Sequence, residues 1–146
     1  MEATLNLYDK DFYAWTQEQA QLIKNRNFGG LDFMHLFEEV EDMGNRHADE
    51  IENRLTVLLT HLLKWKYQPN LQSKSWQFTI KEQRRGIAKR LKKMPSLNYK
   101  LQELFLEAYE DAVFEAEKET GLLKQLFPVL CEWKIEQVLD DGFLPS

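Results

Sequence analysis

Two His-x-x-Glu pairs, His35/Glu38 and His47/Glu50, have the type and spacing of residues that do chemistry. Residues three apart share one face of a helix, and di-metal bundles present their Glu and His ligands in this way. His47, Arg54 and His61 are seven apart. Such positions drift only ~20° around a helix per step, so the three fall nearly on one line. Glu50 stands one turn from both His47 and Arg54, and Glu38-x-x-Glu41 adds a pair of carboxylates. The candidate polar site is therefore Glu38, Glu41, His47, Glu50, Arg54 and His61. If a metal were held, His47, Glu50 and His61 would be its ligands.

A site of that kind needs more ligands from a facing helix. Glu103, Glu107, Glu110 and Asp111 are available, but their spacing does not say which would face inward. Short His/Glu spacings also arise by chance in a chain with 24 acidic residues. The plainer reading is a buried or half-buried salt bridge between Glu50 and Arg54, with His61 hydrogen-bonded to a neighbour. Glu38-x-x-Glu41 resembles one half of the carboxylate set by which helical nucleotide pyrophosphatases hold Mg²⁺. The second half does not follow at the right distance: Asp49-x-x-Glu52 is too close and Glu107-x-x-Glu110 is far. The chain has no Gly-rich phosphate loop, nucleophile elbow or Cys-His pairing. The expectation is a non-enzymatic protein with no metal and no cofactor.

A second pattern is electrostatic. Residues 74–93 hold eight basic residues (Lys74, Lys81, Arg84, Arg85, Lys89, Arg90, Lys92 and Lys93) and one acid, Glu82. The whole chain has a net charge of −5, so the remainder is strongly acidic. One reading sets this basic helix beside acidic neighbours, where each exposed pair contributes a fraction of a kcal/mol. Another makes Lys81, Arg84, Arg85, Lys89 and Arg90 a face for an anion or an acidic protein partner. A nucleic acid is a further possibility, although no helix-turn-helix or RNA-reading signature accompanies the cations.

The elements that must carry these residues read as helices. Asp9 is placed to cap a first helix, running to about Arg26, with Phe12, Trp15, Gln19, Leu22 and Ile23 inward. Asn27 and Gly29-Gly30 end it. A long helix follows from about 32 to 68, capped by Asp32 and stopped by Gln68-Pro69. Leu36, Val40, Met43, Ile51, Leu55, Leu58, Leu62 and Trp65 recur along it at threes and fours, the spacing of an α-helical seam. Gly44 is the expected point of a bend or break. A third helix spans about Ser75 to Lys93, with Trp76, Ile80, Gln83, Ile87 and Leu91 on one side. Ser96 is placed to cap a fourth, about Leu97 to Glu119, which Thr120-Gly121 ends. A last short helix is expected over Pro128 to Leu139. Trp65, Tyr67 and Trp76 flank the Pro69 turn, as the packed end of a bundle would.

Composition sets the outer limits. The chain has 146 residues, 43% hydrophobic and 29% charged, with 18 aromatics (4 Trp, 5 Tyr and 9 Phe) but only 6 Gly and 4 Pro. That is one domain's worth of chain, able to bury a core and poor in turns. The one cysteine, Cys131, allows no internal disulfide and suits a reducing cytoplasm. Residues 1–7 lack the basic-then-apolar pattern of a secretory leader. No apolar run nears the ~18 residues that would span a bilayer, so no membrane partner is expected.

The order of motifs along the chain is also informative: YDKDFYAWTQEQAQLI, LFEEVEDMG, RLTVLLTHLLKWKYQP, SWQFTIKEQR, MPSL, AYEDA, ETGL and the closing LDDGFLP. With these the sequence resembles the bacterial domain-of-unknown-function family 29, rich in cyanobacterial members. The resemblance implies a compact, mostly helical domain and carries no activity with it. It draws attention to Glu38, Glu39 and Glu41 of the EEVE segment and to His61, Leu62, Lys64 and Trp65 of the HLLKW segment. The combined expectation is an all-α, single-domain (1–146) up-and-down bundle of four to five helices around one long helix. It is cytoplasmic and works by binding a protein partner or a second copy of itself as a homo-oligomer.

Overall fold

The structure is a computed structural model describing residues 7–146. The stretch read above as lacking a leader lies almost wholly outside the described residues. Helix α1 spans Phe12–Lys24, α2 Phe33–Tyr67, α3 Lys74–Lys93, α4 Leu101–Thr120 and α5 Ile135–Leu139, joined by short 3-10 turns. No strand occurs among the described residues. The contacts resolve into two compact units, one up to Asn45 and the other Arg46–Ser146.

In the first unit a helical turn at residues 7–10 precedes α1. The cap is Asp11, not Asp9: its carboxylate accepts from the Ala14 N–H. Of the expected inward stripe, Trp15 and Gln19 are buried, whereas Phe12 and Ile23 remain exposed. The connection ends at Asp32, whose carboxylate accepts from the His35 N–H at the start of α2.

Helix α2 has 35 residues, a length of ~52 Å at 1.5 Å per residue. It continues as helix through Gly44, so the break expected there as one alternative does not occur. A lone glycine lowers helix propensity by ~1 kcal/mol, too little to interrupt so long a hydrogen-bonded ladder.

The second unit holds a continuous core. Ile51, Leu55, Leu58, Leu59 and Leu62 of α2 pack with Ile80 and Ile87 of α3, with Leu104, Phe105, Ala108 and Ala112 of α4, and with Ile135 and Val138 of α5. Two ends differ from expectation. Residues Pro95–Lys100 form a 3-10 segment, so α4 starts at Leu101 and Ser96 caps nothing. Residues 127–134 are irregular and only Ile135–Leu139 is helical. Other boundaries follow local chemistry: the Ser73 hydroxyl accepts from the Trp76 N–H to open α3. Gly121, at φ 75°, closes α4 in the left-handed region that favours glycine.

Candidate functional site

The polar residues of α2 divide between the two units. Glu38 and Glu41 lie in the first and are exposed. His47, Glu50, Arg54 and His61 lie in the second, where they do not converge. Glu50 accepts from Arg90 Nη2 of α3 and also pairs with Arg54, Nη2 to Oε1 at 3.6 Å. The hydrogen bond from Arg90, with the charge of both guanidiniums, holds the Glu50 carboxyl below its ordinary range. Arg54 donates to Gln83 Oε1 at 3.1 Å. Its guanidinium lies against Gly86, where an added Cβ would stand 2.6 Å from Nη1. The polar line on α2 thus forms a clamp onto α3. His47 is exposed. His61 turns back to its own helix, with Nδ1 2.8 Å from the Val57 carbonyl. Burial lowers its pKa and favours the neutral ring. Among the described residues no three His, Cys, Asp or Glu side chains are grouped as a metal site would require.

The cationic face of α3 is smaller than its sequence suggests. Arg84 is only 4% exposed. It donates from Nε to the Val138 carbonyl at 2.8 Å, from Nη1 to that of Asp141 at 3.3 Å and from Nη2 to that of Phe143 at 2.7 Å. Burial pushes its pKa down, against the pull of Asp141 and Asp140. Arg84 pins the C-terminal segment to α3, and Arg90 is occupied by Glu50 and the Gly86 carbonyl. Both leave the predicted anion face because backbone carbonyls and a carboxylate already satisfy them. Lys81, Arg85 and Lys89 remain exposed, as do Lys74, Lys92 and Lys93.

Between α3 and the pinned segment runs a groove of about 860 Å³. Lys74, Phe78, Lys81 and Arg85 line it on α3, with Leu139 and Leu144 opposite. Phe78 is 68% exposed, and the lining cations outnumber its one acid, Asp141.

The first unit holds a polar cluster that sequence reasoning missed. Asp32 Oδ2 is 2.6 Å from His35 Nδ1 and accepts from Trp15 Nε1 at 3.1 Å. Burial raises the Asp32 pKa, but the hydrogen bonds from His35 and Trp15 outweigh it and the net shift is downward. Tyr8 stacks on His35, with centroids 3.8 Å apart, and donates to Glu39 at 2.6 Å. That bond, with burial, pushes the Tyr8 hydroxyl up to about 12. Asp32-x-x-His35 was legible as an N-cap spacing, but its link to Tyr8 and Trp15 required the fold. The Asp32 N–H donates to Gln19 Oε1 at 2.9 Å, so the cluster ties the start of α2 to α1.

The first unit also presents apolar side chains to solvent. Phe33, Phe37 and Val40 are 64%, 65% and 60% exposed. Together with Gly44 they stand eighteen residues before Ile51, Leu55, Leu58 and Leu62. Eighteen residues are five full turns at 3.6 per turn. The two sets therefore occupy the same register positions on α2, yet the four later residues are fully buried.

These features define a small all-α protein in which Glu50, Arg54, Arg84 and Arg90 hold segments together and whose surface includes an apolar seam on α2 and a basic groove on α3. The family model described as Domain of unknown function DUF29 matches residues 7–144, and the chain belongs to that family. No curated protein and no solved structure matches it. No helix among the described residues is long and apolar enough to cross a membrane.

Proposed function

We propose that the chain is a non-enzymatic interaction module of the cytoplasm, binding through the forward part of α2. One observation carries the reading: Phe33, Phe37 and Val40 occupy the seam positions that are buried farther along the same helix, and here they are exposed. Contiguous exposed apolar side chains rimmed by charge are characteristic of protein-binding surfaces. The spacing i, i+4, i+7 is that of anchors by which a helix seats against another helix or in a groove. The polar residues of α2 support the same reading, since Glu50 and Arg54 are engaged with α3 and His61 with its own helix.

The test compares the wild-type chain with Phe37→Glu/Val40→Glu, each immobilised and exposed to a lysate of the source cells. Wild type should retain a defined set of proteins, copies of the chain included, that the variant loses. Identical retention by both chains would refute the reading.

A further inference from the structure

Two surfaces of this chain are complementary. Residues 33–45 carry Glu38, Glu39, Glu41 and Asp42 and no Lys or Arg; at ~100° per residue Glu41 flanks the exposed Phe33, Phe37 and Val40, and the other three acids lie farther round the helix. The α3 groove has the opposite charge, with exposed Lys74, Lys81 and Arg85 around Phe78 and Leu144. The groove-lining positions 74, 78, 81, 85 and 88 follow one helical face for four turns, ~21 Å. The apolar stretch from Phe33 to Met43 is ~15 Å long on the same measure, so it can lie along the groove. Arg84 fixes the second wall in advance through its three carbonyl contacts, and a groove ordered beforehand loses less freedom on binding.

We infer that the occupant of the groove is a second copy of this chain, which seats its Phe33, Phe37 and Val40 against Phe78 and Leu144 while its acidic segment, Glu41 foremost, faces Lys81 and Arg85. Each copy offers both surfaces, and in a twofold dimer the two contacts are reciprocal and leave neither surface open. Opposite charge selects this pairing over seam against seam, which would face carboxylates with carboxylates. The inference rests on the interaction-module reading and names its partner.

The experiment is sedimentation of the full chain over a range of concentration and salt. Wild type should form a dimer that weakens as salt rises. Lys81→Glu/Arg85→Glu, and separately Glu38→Lys/Glu41→Lys, should each weaken it at least tenfold. All four positions are exposed, and unchanged circular dichroism and urea midpoints verify the fold. An equimolar mixture of the two reversed chains should form a one-to-one heterodimer, because both contacts are then complementary again. A monomer at every concentration overturns the inference, as does a dimer indifferent to either reversal or a mixture that fails to pair. A labelled RNA oligonucleotide is titrated in parallel. Steep salt dependence abolished by Lys81→Glu/Arg85→Glu, without self-association, would assign the groove to nucleic acid and overturn the inference. A monomeric chain whose Phe37→Glu/Val40→Glu variant still loses lysate partners refutes self-docking and leaves the module reading intact. If that variant loses nothing, the module reading falls as well.

Discussion

The two stretches of α2 share one apolar register and differ in what covers it. In the second unit Ile51, Leu55, Leu58 and Leu62 are fully buried, while Phe33, Phe37 and Val40 of the first are more than half exposed. Hydrophobic periodicity reports which face of a helix is apolar; it does not report whether the same chain supplies the cover. The polar residues differ in parallel. Around Asp32 they secure the start of the helix, and around Glu50 they bind α2 to α3.

The sharpest break in this comparison is a truncation in the covered stretch. Leu58→Ala removes a fully buried side chain and should cost about 3 kcal/mol, the middle of the range for large-to-small core changes. Urea denaturation followed by circular dichroism measures it. A loss under 1 kcal/mol would mean that this stretch is no better covered than the forward one.

Arg84→Ala is expected to be the next largest. It removes three hydrogen bonds from a charged donor and strands the carbonyls of Val138, Asp141 and Phe143. A cost of about 2 kcal/mol follows, with faster amide exchange over residues 138–144. Unchanged exchange there would show that the C-terminal segment holds its place without Arg84.

The sequence was legible where local rules and the core agree. The span of α2, the Gly121 stop and the buried positions Ile51, Leu55, Leu58, Ile80, Ile87 and Leu104 all follow from spacing, propensity and caps. It was less legible where a tertiary partner decides. Arg84 and Arg85 are adjacent cations with the same intrinsic chemistry, yet one is buried among carbonyls and the other is exposed. Residues 128–134 read as helical, but Phe127 just before them packs into the core and the Pro128 carbonyl accepts from the Tyr109 hydroxyl. Those contacts hold the segment in irregular form. Val40 and Met43 fit the apolar seam as well as Leu58 does, and only the packing separates them.

Acid titration gives a third comparison. Glu52 of the covered stretch has its pKa raised to about 7 by burial, by a hydrogen bond with Glu107 and by the charges of Glu107, Asp111 and Asp49. A carboxyl whose folded pKa is raised binds its proton more tightly in the native state. Its contribution is thus present at low pH and is lost as pH rises from about 4.5 to about 7. Glu52→Gln should stabilise the protein by about 1 kcal/mol at pH 8, after discounting for solvent screening, and by nothing at pH 4. Denaturation midpoints at the two pH values decide it; an equal gain at both would remove the titration as the cause.

The smallest effect is expected at Phe37, the register partner of Leu55. Phe37→Gln changes an exposed side chain and should alter the stability of the isolated chain by no more than about 0.5 kcal/mol. Association changes the terms, because a partner that binds only the folded chain adds stability that grows with concentration. In dilute solution the melting temperatures of wild type and Phe37→Gln should coincide. As the protein is concentrated, that of wild type should rise while that of the variant stays in place. A gap already present at high dilution would show that the forward seam is covered within the chain itself, and the contrast between the two stretches of α2 would collapse.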